Sequence, residues 1–155
     1  REIAPFRALA KRGGAPMVMV GHLILDPLGG PERLPASLTR DVITGLLREA
    51  LCYDGLIVSD DLSMEAITSR YSLAEAAERV VEAGADIILV ATTPGDRAPV
   101  LAEIAERLSA RAAEDREFAD LIRYAYARVV LAKLILAENR GQLRPDDAAI
   151  ALISR

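Results

Sequence analysis

Tryptophan is absent from this chain, and histidine and cysteine occur once each, as His22 and Cys52. A single cysteine excludes an intrachain disulfide and a cysteine metal cluster, and a single histidine with scattered acids leaves no metal site, so neither metal nor cofactor is expected. Cys52 is expected to be an inert core thiol. Lysine is confined to Lys11 and Lys133, and the net charge is -4 with acids and bases interspersed. That pattern offers no basic stripe for nucleic acid and no polybasic patch for a membrane surface. No apolar run approaches the ~18 residues of a membrane span, and no signal peptide opens the chain. The chain opens on Arg1 in what reads as mid-domain sequence, so a longer native N-terminus is expected. Its compartment stays open, with the cytoplasm the default. No G-x-G-x-x-G or P-loop follows an apolar run, and Gly29-Gly30 sits in a proline-bounded loop, which argues against a nucleotide fold.

What the chain does have is apolar mass: 52% hydrophobic residues in 155, enough to fill the core of one domain. Pro5 to Lys11 reads as a short helix ended by Gly13-Gly14, and Pro16 to Val20 as a strand followed by Gly21 and His22. A loop rich in Pro and Gly runs from Asp26 to Ala36. Thr39 is placed to cap a helix in which Val42, Ile43, Leu46 and Leu47 recur at helical spacing. Leu56 to Ser59 is the second strand. Ser72-Leu73-Ala74-Glu75 fits a capping box at the start of a helix that ends near Gly84. Asp86 to Val90 is the third strand, Thr92 to Gly95 a loop, and Ala98 to Leu108 a helix. A long amphipathic helix spans about Arg116 to Ala137, stopped by Asn139 and Gly141, and the tail holds a short helix around Ala148 to Ile153. Strands alternating with helices imply right-handed βαβ units and a parallel sheet. Three strands leave apolar edges, so the unit is expected either to belong to a larger barrel or to close against another chain.

The run Gly55-Leu56-Ile57-Val58-Ser59-Asp60-Asp61-Leu62-Ser63-Met64 is the most informative. Leu56, Ile57 and Val58 are continuously apolar, as in a strand buried on both faces. Asp60 and Asp61 stand where it emerges, and the carboxyl ends of parallel strands carry the chemistry in barrels and doubly wound sheets. Neighbours on an extended chain point to opposite sides, so the two carboxylates cannot serve one pocket as an acid and nucleophile pair. One can act, and the other supports it or caps the following turn.

Val18-Met19-Val20-Gly21-His22, Pro35-Ala36-Ser37-Leu38-Thr39, Leu46-Leu47-Arg48, Tyr53 through Met64, and Ala83-Gly84-Ala85-Asp86 resemble, in that order, glycoside hydrolase family 3. The resemblance reaches to about Ala137. It implies an α/β fold, a partial (β/α)8 barrel of the TIM type made of the last three βα units plus a long C-terminal helix. Residues 1–140 would form the C-terminal portion of the catalytic barrel, and 141–155 a tail. The activity implied is retaining hydrolysis of β-glycosides, with Asp60 as nucleophile because it directly follows the serine at the end of the seventh barrel strand. Asp61-Leu62-Ser63-Met64, where β-glucosidases carry an aromatic residue, resembles the β-N-acetylhexosaminidase branch, whose members often recycle cell-wall fragments. A terminal β-linked N-acetylhexosamine is then the expected carbohydrate partner. That branch draws its acid/base histidine from a K-H-F-P-G-H-G type loop that has no counterpart here, so the chain is expected to be inactive alone. His22 and Met64 are candidate sugar-binding residues; the alternatives are a histidine hydrogen-bonded at a strand end and a core methionine. The missing tryptophan removes one usual stacking platform.

Two other classes compete. A receiver-like phosphoacceptor domain also ends a strand in Asp, but it needs an acidic pair after the first strand, where this chain has Gly21-His22, and a strand-end lysine. A non-catalytic half-barrel that self-associates through its strand edges needs neither.

Overall fold

Apolar runs separated by amphipathic segments fold into a parallel sheet in the computed structural model, which describes residues 3–11, 15–26, 28–91 and 97–139. Helix α1 (Ala4–Lys11) precedes strand β1 (Met17–Val20), and a 3-10 turn (Ala36–Leu38) and a helix over Asp41–Ala50 lead to β2 (Leu56–Asp61). Helices α2 (Glu65–Thr68) and α3 (Leu73–Ala83) precede β3 (Ile87–Leu89), which is followed by α4 (Arg97–Glu114) and α5 (Arg116–Asn139). The strands lie in the order β1, β2, β3, all parallel, with Met17 opposite Leu56 and Val20 opposite Ser59. This is the α/β architecture expected of a partial barrel: an open arc of βα units with a long last helix.

β2 occupies the centre because its residues tolerate burial on both faces. Leu56, Ile57, Val58 and Ser59 are all buried, and Ile57 joins Val20, Ile43, Leu62, Ile67 and Val80 in one core. α3 turns Ala76, Ala77, Val80 and Ala83 onto that core at i, i+3, i+4 spacing. Its start is the expected capping box: Ser72 Oγ accepts from the Glu75 N–H at 3.2 Å, and the Glu75 carboxylate accepts from the Ser72 N–H at 2.9 Å. Its end is Gly84, at φ +100°, where a Cβ would come within 2.5 Å of Thr44 Oγ1. Only glycine meets both demands, the left-handed backbone and the close approach. Asp115 Oδ1 accepts from the Phe118 N–H at 3.1 Å and opens α5, so the chain breaks between α4 and α5 for only one residue.

At the N-terminal end of the strands, the fully buried Asp86 carboxylate gathers three donors: Arg48 Nη2 at 2.5 Å, Arg128 Nε at 2.6 Å and the Ile57 N–H at 2.8 Å. Arg48 also donates through Nη1 to the carbonyls of Tyr53 and Gly55, at 2.9 and 2.6 Å. One carboxylate thereby joins β2, the Asp41–Ala50 helix and α5.

Several expectations need correction. Thr39 does not cap the following helix: its buried hydroxyl turns back and donates to the Pro35 carbonyl at 2.8 Å, and Arg40 precedes the helix without a side-chain cap. That helix buries Val42 and Ile43 as the apolar stripe requires, yet it is wound in π register, the Leu51 N–H reaching the Leu46 carbonyl at 2.9 Å. Cys52 is exposed, not a core thiol. It sits at φ +52° between the buried Leu51 and Tyr53, both of which turn inward and leave it facing solvent. β2 continues through both carboxylates to Asp61, β3 is shorter than expected, and α4 runs on to Glu114. The stops at Gly13-Gly14 and Gly141, the Thr92–Gly95 loop and the 141–155 tail lie outside the described residues.

Candidate active site

Three strand ends meet at the C-terminal edge of the sheet: Gly21-His22 after β1, Asp60-Asp61 closing β2, and Ala91 beyond β3. The approach is irregular where it matters. Val58 lies opposite Ile87 and Asp61 opposite Leu89, so β2 fits one more residue than β3 into the same stretch, around Ser59 and Asp60. Such bulges bend a strand and re-aim its side chains, and they concentrate near active sites. The fully buried Ser59 repairs the ladder, its Oγ accepting from the Leu89 N–H at 3.0 Å.

The two carboxylates diverge. Asp60 Oδ1 accepts from the Asp61 N–H at 2.9 Å, and its Oδ2 turns toward β1, 3.9 Å from where a Cβ on Gly21 would stand. Asp61 instead reaches toward β3. Its Oδ1 accepts from the Ala91 N–H at 2.8 Å and the Ser63 N–H at 2.9 Å, and its Oδ2 from the Ser63 hydroxyl at 2.7 Å. Partial burial pushes the Asp61 carboxyl up, but the hydrogen bonds from Ala91 and Ser63 outweigh it and hold the group below the ordinary carboxylate range. A folded-state pKa below the unfolded one contributes stability that is complete above the unfolded value and is lost as pH falls through the folded value. The urea midpoint of Asp61→Asn, followed from pH about 7 down to about 3, should therefore approach that of the parent as acid neutralises Asp61.

His22 spends both ring nitrogens on the protein. Nε2 donates to the Asp61 carbonyl at 2.9 Å, and Nδ1 lies 2.6 Å from Ser37 Oγ. A carbonyl can only accept, which fixes the proton of the neutral ring on Nε2 and leaves Nδ1 to accept from the serine hydroxyl. Ser37 is fully buried in the 3-10 turn. No periodicity or charge pattern singled it out. Met64 opens α2 with a 45% exposed side chain, and its N–H donates to the same Asp61 carbonyl at 3.1 Å.

Asp60, Asp61, His22 and Met64 are thus gathered on one rim. None of these four lines the apolar cavity of about 460 Å³ between α1, β1 and the Asp41–Ala50 helix, which is lined by side chains such as Phe6, Met17, Met19 and Leu46 and reaches the sheet edge at Gly21. Its walls suit side chains, not polyols. Among the described residues, no three His, Cys, Asp or Glu side chains form a metal-holding group. Among the described residues the rim offers one carboxylate, that of Asp60, with an oxygen that accepts no protein hydrogen bond, fit to be a nucleophile or a base but not both partners of an acid/base pair.

Residues 1–125 match the glycosyl hydrolase family 3 N-terminal domain. The chain belongs to glycosyl hydrolase family 3. This family 3 chain is 44% identical over 98 residues to the beta-hexosaminidase LpqI of Mycobacterium tuberculosis, an alignment covering 59% of the chain and 24% of that protein. It is 37% identical over 79 residues to a beta-hexosaminidase of Bordetella bronchiseptica, covering 51% of the chain and 22% of the relative. A family 3 β-N-acetylglucosaminidase from Paenibacillus superposes with a TM-score of 0.73 at 37% identity, over 86% of this chain and 24% of that one. The M. tuberculosis LpqI structure gives 0.66 at 37% identity, over 85% and 38% of the two chains. The chain spans about a quarter of the length of the curated relatives it matches.

Proposed function

We propose that this family 3 chain supplies the nucleophile of a retaining glycoside hydrolase acting on a terminal β-linked N-acetylhexosamine, and that Asp60 is that nucleophile. The observation that carries the reading is the Asp60 carboxylate at the end of β2, with Oδ1 held by the Asp61 N–H and Oδ2 left open beside Gly21. The side-chain-free Gly21 leaves room for a sugar ring to approach that oxygen. The substrate class rests on the relatives, which are named beta-hexosaminidases.

In the first step an Asp60 oxygen attacks the anomeric carbon while the bond to the leaving oxygen breaks and an acid donates a proton to it, giving a glycosyl ester. In the second, water attacks the same carbon, the former acid takes its proton, and the Asp60 carboxylate departs with the configuration retained. The two groups stand roughly 5 Å apart in such enzymes, in environments that keep one ionised and the other protonated. Asp60 fills the first role. The acid/base comes from outside residues 1–155, so the chain by itself does not turn over. Met64, exposed on the rim, packs against the bound sugar, and His22 borders the same site.

The test is trapping in the native polypeptide that carries these residues. An activated fluorosugar of the N-acetylglucosamine series should add one glycosyl group, which peptide mapping assigns to Asp60. One observation favours a second reading, the self-associating half-barrel: among the described residues β1 pairs only with β2 and leaves Met17 46% and Met19 55% exposed. A sedimenting dimer that yields no adduct would support that reading and sink the first.

A further inference from the structure

The histidine, the buried serine and the second aspartate form one connected assembly around the peptide that follows Asp60. Asp61 is pinned from three directions. Its carbonyl accepts from His22 Nε2 at 2.9 Å and from the Met64 N–H at 3.1 Å, its carboxylate takes the Ala91 N–H from beyond β3, and that carboxylate also closes on Ser63. What remains is its own N–H, which donates to Asp60 Oδ1. The direction of that N–H follows from the backbone torsions of Asp61, and these cannot rotate while its carbonyl and carboxylate are held. His22 in turn is held by Ser37 Oγ at 2.6 Å, from a 3-10 turn whose three residues are all buried.

We infer that His22 and Ser37 are positioning residues for the Asp60 carboxylate, acting through Asp61 and not through a hydrogen bond to the sugar. The inference rests on Asp60 being the nucleophile. Its physical basis is that both nitrogens of the His22 ring are occupied by protein groups, so the ring transmits the rigidity of the buried turn to the end of β2. Without it the Asp61 carbonyl keeps, among the described residues, only the Met64 N–H, and the carboxylate that must meet the anomeric carbon in line gains freedom. A displacement on the order of 1 Å at a reacting group costs about 100-fold in rate.

The experiment uses the native polypeptide and reads two things: the rate of adduct formation on Asp60 with the fluorosugar, and kcat against KM on an aryl β-N-acetylglucosaminide. His22→Ala should slow adduct formation and kcat by about 10- to 100-fold, with the adduct still on Asp60 and KM within about threefold of the parent. His22→Gln, which keeps an N–H donor for the Asp61 carbonyl, should recover a large part of that loss, and Ser37→Ala should show a smaller one. Arg128→Met, at the opposite end of the strands, should lower the melting temperature without changing the adduct rate. An unchanged rate in His22→Ala would overturn the inference, as would a rise in KM at constant kcat, which marks direct sugar contact. So would an Arg128→Met variant that loses rate along with stability. Should His22→Ala fail to fold, Ser37→Ala and His22→Gln carry the same comparison. If the unsubstituted protein forms no adduct on Asp60, the nucleophile reading itself fails and takes this one with it.

Discussion

Asp60→Asn should abolish turnover of an aryl β-N-acetylglucosaminide by the native polypeptide, with kcat/KM falling on the order of 10,000-fold or more. The carboxamide is nearly isosteric and its oxygen still accepts from the Asp61 N–H, so the fold survives while the oxygen proposed to form the glycosyl ester is lost. Asp61→Asn should behave differently although it changes the adjacent residue in the same way. Its carboxamide oxygen still accepts from Ser63 and Ala91, and its amide can donate to the Ser63 hydroxyl, so turnover should stay within about tenfold of the parent. Steady-state kinetics on the two variants side by side separate the roles. Equal losses would sink the assignment of Asp60, since they would mean that either carboxylate is needed in its charged form. Azide added to Asp60→Gly offers a second readout, because an external anion entering the vacated space should restore turnover and give the glycosyl azide of inverted configuration.

The features legible in the sequence are those written in local pattern. Leu56-Ile57-Val58 announces a central parallel strand because no polar residue interrupts it, and that strand is buried as expected. Ser72 with Glu75, and Gly84 eleven residues into the helix they open, mark both ends of α3 because capping and left-handed stops are local chemistry. What escaped the pattern is set by contacts distant in the chain. The amphipathic stripe Val42, Ile43, Leu46, Leu47 says which face of the helix is buried but not how tightly the helix is wound, and the winding is π. Thr39 looks like a cap in isolation; its hydroxyl goes instead to Pro35 because the preceding turn is buried and offers a carbonyl. Ser37 lies 15 residues from His22 and Asp61 lies 39 residues from it, so no spacing rule joins the three. The bulge at Ser59 and Asp60 exists only once β3 pairs with β2. The site is therefore half legible: the pair of carboxylates reads off the strand that carries it and the choice of Asp60 comes from the family resemblance, while the contacts around Asp61 read off neither.

The largest stability effect is expected at the other end of the sheet. Asp86 has no exposed side-chain surface and faces two guanidinium groups, Arg48 with 16% of its side chain exposed and Arg128 with 33%. Burial pulls the Arg48 guanidinium below its ordinary value while Asp86 opposes that pull, so the cation is held in place by its partner. Removing the anion leaves two partly desolvated cations without compensation and the Ile57 N–H without an acceptor. Breaking a buried pair in this way costs about 3–5 kcal/mol, a large share of the roughly 5–15 kcal/mol that holds a typical domain folded. Asp86→Ala should accordingly lower the urea midpoint severely. Asp86→Asn, which keeps an acceptor for Ile57 but loses the charge, should fall between. The decisive comparison is Asp86→Ala combined with Arg128→Met. If the cost is mainly that of an unpaired buried cation, removing Arg128 as well should return part of the lost stability, because the second substitution deletes one of the charges the first has stranded. If the double variant is instead less stable than Asp86→Ala alone by the full cost of Arg128→Met, the packing of the arginine stem on α5, and not its charge, is what the sheet depends on.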